Sequence, residues 1–562
     1  MPLTTNSPEK TLNDLIEGSC GKFPLRPALS MAFQQPVTYG ELFDRIIRTA
    51  TVLKDMGLRK KDKVAILAEN SPNWAVAYLG VVRLGAIVVP ILPDFPEADV
   101  RHIIADAKVK ILFTSQRLIE KIYELRNCKI PSIIMLDDSP PEREFANVET
   151  FSRFLSRFDQ LRKKYPREAD RRPDVEAGDL AAIIYTSGTS GHSKAVMLSH
   201  GNLHANVSSA NQLLRITPEW TFLSILPMSH TYEFTIGFLL PLLNGARIVY
   251  AGKAPTPTVL ERICKKEKPS VMCIVPMVME KIYKKRVLTA LEQNTLLKLA
   301  TRLPLVRRQI FRKIGRKLLE FFGGSLQLLA IGGAPINHDT ENFLKEANFP
   351  YLIGYGLTET SPLLAGGPFK DPAITVGSTG KPVPGVEIRI DHPDPQSGIG
   401  EIMARGPNVM QGYANHPELT ARTIDKAGWL ATGDLGSFDE FGNLHIKGRS
   451  KSVIVLSNGE NIYPEAIEEK INSFMPVVES LVTENNDRLE AYVYLDYDLI
   501  DQKTKNRSHP QKKEYIASIL KEIRQTVNTQ LPPYAKLYQV NERQEPFIKT
   551  ATHKIKRYLY AK

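Results

Sequence analysis

Four cysteines in 562 residues, Cys20, Cys128, Cys264 and Cys273, are too few and too scattered for a disulfide framework. Long apolar runs are also missing. The nearest, Phe234-Thr-Ile-Gly-Phe-Leu-Leu-Pro-Leu-Leu243, is ten residues long and carries Pro241, where a membrane-spanning helix needs about 18. Residues 1–10 lack the charged-then-apolar layout of a secretory signal. We find no Walker A loop, internal repeat, low-complexity tract or nucleic-acid-binding motif. These absences set aside disulfide scaffolds, membrane spans, ordinary P-loop ATPases and nucleic-acid partners, and point to a cytoplasmic protein.

What is present describes a folded enzyme. The chain is 43% hydrophobic and too long for one core, so its length predicts three or four lobes. Short β-branched runs, Lys63–Ala68, Ala86–Ile91 and Val109–Phe113, alternate with helical stretches, Trp74–Leu84 and Ala98–Ala107. This pattern predicts an α/β fold with a parallel sheet. Arg153–Arg172 reads as a charged, structure-poor bridge, and a second α/β unit is expected from Asp179 to about Thr360. Gly366 to about Leu444, dense in Gly and Pro, predicts a β-rich lobe. Farther on, Tyr463–Ile471 reads as a helix opened by Pro464, Leu489–Leu495 as a strand, and Asp501–Glu514 as a polar surface loop.

The net charge of +12 is concentrated. Between Lys281 and Glu320 stand twelve basic and two acidic residues, and Ile310, Phe311, Ile314, Leu318 and Leu319 recur there at helical spacing beside Arg308, Arg312 and Arg316. Such a helix suits an anionic membrane surface, or docks its apolar face on the protein core and leaves its charges in water.

The most informative stretch is Ala181-Ala-Ile-Ile-Tyr-Thr-Ser-Gly-Thr-Ser-Gly-His-Ser-Lys194. An apolar strand runs into a loop whose glycines, Gly188 and Gly191, let backbone N–H groups approach an anion closely. Thr186, Ser187, Thr189 and Ser190 add hydroxyl donors, and Lys194 adds a positive charge. The pattern suits polyphosphate. Downstream come Tyr355-Gly-Leu-Thr-Glu-Thr360, Thr432-Gly-Asp-Leu435, and Gly448-Arg-Ser-Lys451 followed by Ser457-Asn-Gly-Glu460; Thr552-His-Lys-Ile-Lys-Arg557 stands near the end.

In this order and spacing the segments resemble the acyl-adenylating (AMP-forming) superfamily, which includes acyl-CoA synthetases, firefly luciferase and nonribosomal-peptide adenylation domains. Leu226-Pro-Met-Ser-His-Thr-Tyr-Glu233 and Val275–Tyr283 are most similar to long-chain fatty acid–CoA ligases. The resemblance implies a large multi-lobed N-terminal adenylation part, residues 1–449, and a small mobile α+β C-terminal domain, residues 450–562. It implies ATP, Mg²⁺ and coenzyme A as cofactors and co-substrate, with a fatty acid as substrate.

By the same resemblance, Thr186 to Gly191 with Lys194 would wrap the β- and γ-phosphates. Glu359 would ligate Mg²⁺, and Thr358 would donate to the α-phosphate. Tyr355 would stack on adenine, with Gly332, Gly333 and Ala334 along the base edge. Asp434 would accept both ribose hydroxyls beside Arg449. Lys554 would bridge carboxylate and α-phosphate, with Lys556 a competing candidate because His553 stands where the family usually has Gly. Lys451 would be the hinge, Gly459 would line the thiol tunnel, and His230 would sit at the mouth of the acyl pocket or serve as a structural histidine. Ser193 and Ala195 replace the family's frequent Pro and Gly without removing a donor. Glu233 also admits a reading as an ammonium partner in an amino-acid adenylation domain, but the usual Phe-Asp pattern and a following carrier domain are missing. Two alternatives stay open: transfer to acyl carrier protein, and a non-catalytic acyl or nucleotide binder.

Overall fold

Alternating short strands and helices between Pro27 and Gly366, joined by the short strand Gly412–Tyr413, build two eight-stranded sheets in the computed structural model. It describes residues 10–123, 130, 132–142, 147–164, 173–186, 193–292, 295–457, 460–505, 508–550 and 554–560. One sheet runs Gly412–Tyr413, Lys194–Ser199, Leu180–Thr186, Ile87–Pro90, Lys63–Leu67, Ile111–Thr114, Ser132–Met135, Val148–Thr150. The other runs Leu363–Gly366, Tyr351–Gly356, Leu328–Ile331, Val271–Ile274, Thr221–Ser224, Arg247–Tyr250, Pro27–Met31, Val37–Thr38. Their central strands pair in parallel, and Ile87–Pro90 and Val271–Ile274 are buried along their whole length, as strands covered on both faces must be. The largest apolar cluster takes residues from both sheets, with Trp74, Tyr78 and Phe238 among its buried side chains.

Four antiparallel strands, Glu387–Asp391, Gly400–Arg405, Leu430–Phe438 and Leu444–Arg449, form the β-rich lobe that Gly and Pro density predicts. Farther on, Leu456, Ile467, Ile471, Ala491, Val493, Ile523 and Val540 belong to an apolar cluster made wholly of residues beyond 453. Its three-stranded sheet, Val477–Asn485, Arg488–Leu495 and Leu537–Arg543, is flanked by helices Pro464–Asn472 and His509–Asn528.

The chain departs from the sequence reading in three places, and in a fourth it takes one of the two courses that reading left open. Leu180–Thr186 opens no second unit; it pairs with Ile87–Pro90 and, with Lys194–Ser199, completes the first sheet. The supposed bridge Arg153–Arg172 begins inside a helix, Phe151–Lys164, because Phe151, Phe154 and Phe158 fall at helical spacing and are buried against the core while the charges face out, and its residues 165–172 lie outside the described residues. The polar stretch Asp501–Glu514 is largely helical, shared between Tyr497–Lys503 and His509–Asn528. Helix Pro304–Phe321 buries Phe311, Leu318 and Phe321 in the second core, with Ile310, Ile314 and Leu319 packed against it. The apolar stripe from Ile310 to Phe321 is therefore spent inside the protein, while Arg308, Arg312, Lys313, Arg316 and Lys317 face water.

Candidate active site

A tight reversal places the first acidic side chain. Strand Tyr351–Gly356 ends in one short turn, Thr358–Thr360, and the chain returns as Leu363–Gly366. Gly356 permits the reversal, since a β-carbon there would lie 1.8 Å from the Pro362 carbonyl oxygen. Thr358 and Glu359 thus stand at a hairpin tip at the end of a sheet. Buried Asn408 fastens the tip, donating from Nδ2 to the Thr360 carbonyl at 2.8 Å, and the Met410 N–H donates to the Glu359 carbonyl at 2.8 Å.

Lys194 approaches the same tip from the first sheet. In the antiparallel register Thr186 lies opposite Lys194, so both ends of the glycine-rich loop are fixed on one ladder. Ser187, Gly188, Thr189, Ser190 and Gly191 lie outside the described residues. The Lys194 ammonium sits 4.8 Å above the Tyr413 ring, and the Tyr413 hydroxyl donates to Glu359 Oε1 at 2.9 Å. Desolvation pulls the Lys194 pKa down; Glu359 opposes this, and Lys451 and Arg449 reinforce it. One cation is therefore within electrostatic reach of three other candidate residues.

The ribose candidates meet across a strand pair. Asp434 on Leu430–Phe438 is directly opposite Arg449 on Leu444–Arg449, which puts both side chains on one face. Arg449 Nε lies 3.1 Å from Asp434 Oδ1, and the Tyr355 hydroxyl donates to Asp434 Oδ2 at 2.8 Å. Both oxygens of a nearly buried carboxylate are thereby oriented. Just past strand Leu328–Ile331, Gly332 is buried, and a β-carbon on it would come within 3.3 Å of the Tyr232 ring and 3.4 Å of the Gly354 carbonyl oxygen. Gly333 has positive φ at +89°, and both Gly333 and Ala334 are exposed.

Lys554 reaches this cluster from the C-terminal end of the chain. It is open to solvent but stands inside the cleft, where desolvation and Arg449 pull its pKa down while Asp434 and Glu359 push it up. His230 feels Lys554 as well. Burial and then that lysine lower the imidazole pKa to about 4, so the ring is neutral at physiological pH. The Tyr232 N–H donates to His230 Nδ1 at 3.2 Å, which leaves the proton on Nε2. Lys451, on the turn Ser450–Ser452, is exposed. Gly459 lies outside the described residues.

Sequence reasoning missed Tyr413 and Asn408. Both stand in Gly406-Pro-Asn-Val-Met-Gln-Gly-Tyr413, where Gly and Pro mark turns but nothing marks a partner for Glu359. It also gave Glu233 only the disfavoured reading of an ammonium partner and Phe234–Leu239 no role in the site. Glu233–Leu239 forms π-helical turns, and Glu233 is fully buried inside them. Burial pushes its carboxyl up to about 8, against some relief from the Ser224 hydroxyl, so it is a neutral acid at pH 7.

Among the described residues no three His, Cys, Asp or Glu side chains are grouped to hold a metal. A single carboxylate such as Glu359 fits Mg²⁺ held mainly by substrate phosphates and water. The whole arrangement places cations, one neutral imidazole and two oriented carboxylates around one cleft, which suits a polyanion attacked by another anion.

A family model described as AMP-binding enzyme matches residues 16–414. The chain is 29% identical over 537 residues to the long-chain-fatty-acid–CoA ligase heimdall of Drosophila melanogaster, spanning 87% of this chain and 76% of that protein. It is 30% identical over 455 residues to a ring-bearing propanoyl:CoA ligase of Rhodococcus jostii (strain RHA1), spanning 79% and 80%. The solved structure of ATP-bound MatB from Rhodopseudomonas palustris matches with a TM-score of 0.74 and 26% identity over 98% of each chain.

Proposed function

The chain belongs to the AMP-binding enzyme family, and on that footing we propose that it activates a fatty acid, most fittingly a long-chain one, in two steps. The carboxylate attacks the α-phosphate of ATP, giving acyl-AMP and pyrophosphate; the thiol of coenzyme A then displaces AMP and leaves an acyl-CoA. Lys194, Glu359, Asp434, Arg449 and Lys554 facing one cleft is the observation that carries this reading.

In this reading Asp434 orients the ribose, Arg449 and Lys194 neutralise phosphate charge, and Lys554 draws the carboxylate and α-phosphate together against their mutual repulsion. Neutral His230 offers its Nε2 proton near the carboxylate without adding charge. Glu359 would hold Mg²⁺, which as a Lewis acid would stabilise the departing pyrophosphate. The residues after Arg449 would turn about Lys451 between the two steps, withdrawing Lys554 and admitting the thiol past Gly459.

Purified protein with ATP and a panel of acids tests this. Pyrophosphate release should rise from acetate to oleate, and adding coenzyme A should yield the thioester. Thioester formed only with acyl carrier protein would favour that acceptor, and no release with any acid would end the enzyme reading. Because the Rhodococcus relative is named for a ring-bearing propanoate, the panel includes one.

Contact with an anionic bilayer belongs to the same proposal, but through a different surface from the apolar stripe of the basic helix. Leu296 and Leu305 are 80% and 79% exposed, and Leu299, Leu303 and Val306 are exposed beside them. Arg302, Arg308, Arg312, Lys313, Arg316 and Lys317 face water nearby, and Leu305 shares a helical stripe with Arg308, Arg312 and Arg316. Apolar side chains left in solvent among cations fit anionic headgroups over an apolar interior. Leu303→Glu with Leu305→Glu should weaken co-sedimentation with phosphatidylglycerol-containing vesicles by roughly tenfold or more. Unchanged binding would remove this surface from the proposal.

A further inference from the structure

Counting charge along the chain puts Lys284 among the surface cations of the basic segment, but its ammonium turns inward. It lies in Tyr283–Leu288, directly after helix Pro276–Ile282. Its Nζ donates to the Asn472 carbonyl at 2.6 Å, the Phe474 carbonyl at 3.0 Å and the Val477 carbonyl at 2.9 Å. An ammonium has three protons, and all three are used.

The acceptors are significant. Asn472 is the last residue of helix Pro464–Asn472, and Val477 is the first of strand Val477–Asn485. The cation thus closes a helix C-terminus, where orphan carbonyls carry partial negative charge. Burial lowers its pKa to about 8, while Glu280 on the preceding helix and Asp496 across the seam oppose the shift, so it is largely protonated at neutral pH. A second contact secures the same helix: Glu469 Oε1 accepts from the His338 N–H at 2.9 Å, and the Glu469 carbonyl accepts from Asn337 Nδ2 at 3.2 Å. Asn337 is itself held, its N–H donating to Glu280 at 2.9 Å.

We propose that Lys284 is a positioning residue for adenylation: it fastens the end of helix Pro464–Asn472 and so holds the C-terminal residues where Lys554 faces Asp434, Arg449, Glu359 and His230. The inference rests on the adenylation reading of the cleft. Lys284 touches no substrate. It acts through Lys554, because contacts made in only one of two orientations shift the population toward that orientation. When the C-terminal residues turn away, water can solvate the three carbonyls and the ammonium separately, so the contact favours one orientation without preventing the other.

The test compares acid-dependent ATP–pyrophosphate exchange with thioester formation from preformed acyl-AMP, in wild type, Lys284→Met and Glu469→Ala. Lys284→Met should lower exchange roughly tenfold or more, with thioester formation unchanged or faster. Glu469→Ala, at the more exposed contact, should give the same split at roughly twofold to fivefold. Equal loss in both half-reactions, or loss in neither, overturns the inference. If Lys284→Met fails to fold, the Glu469→Ala split decides alone. Wild-type protein without exchange activity would instead overturn the adenylation reading beneath it.

Discussion

Lys554→Ala should lower acyl-adenylate formation roughly 10²- to 10³-fold, the usual cost of removing one fixed donor aimed at charge that develops in the transition state. Transfer of a preformed acyl-adenylate to coenzyme A should stay within about threefold of wild type. The asymmetry follows from location. Lys554 reaches the cleft from near the chain end, and its pKa is already pulled down by desolvation and by Arg449, so it sits there at some electrostatic cost until a polyanion arrives. The bound phosphates and carboxylate would supply the missing counter-charge. Single-turnover kinetics on each half-reaction check the expectation. Equal loss in both would mean that Lys554 supports the fold of the cleft and not the chemistry. Lys556→Ala serves as the comparison, since that lysine is the rival candidate from sequence.

The second large effect concerns stability. Glu233 is buried as a neutral acid whose carboxyl is pushed up from 4.5 to about 8. The unfolded chain gives up this proton near pH 4.5, while the native state keeps it to about pH 8. Over that window the native state binds the extra proton, so each unit of rising pH costs the wild type up to about 1.4 kcal/mol of stability. Glu233→Gln keeps the shape and removes the titration. Relative to wild type it should therefore gain stability from pH 4.5 upward, on the order of 3–5 kcal/mol by pH 8. Urea midpoints for both proteins at pH 4, 6 and 8 measure this. A difference that does not change with pH would mean that the carboxyl is ionised in the native state. Gly237 bears on the same site: a β-carbon there would lie 2.6 Å from the Glu233 carboxyl carbon, so the π-helical segment closes around this acid only because glycine is present.

Much of the cleft was legible because its chemistry constrains residue types at fixed places. A carboxylate at a hairpin tip, an Asp opposite an Arg and a Lys after a glycine-rich loop remain visible as Tyr355–Thr360, Thr432–Leu435 with Gly448–Lys451, and Ala181–Lys194. The alternating strands of the first half were legible for a similar reason, since buried parallel strands must be continuously apolar.

Partners fixed only in three dimensions were not legible. Tyr413 is an ordinary aromatic in a turn until the strand pairing of Gly412–Tyr413 with Lys194–Ser199 sets it between Lys194 and Glu359. Lys284 is one cation among twelve until a helix end 188 residues later lies against it. Local composition also misled where charge hid periodicity. In Phe151–Lys164 the high density of Arg, Lys and Asp hides three phenylalanines that all point inward.

The apolar cluster from Leu456 to Val540 takes no member from the two large sheets. In the turn proposed above, the residues of that cluster would carry their oily interior intact, and the contacts exchanged would include the hydrogen bonds of Lys284, Asn337 and His338. Since heat capacity tracks apolar surface exchanged with water, passage between the two half-reactions should leave it nearly constant, and the swing should slow smoothly on cooling without the curvature that accompanies unfolding.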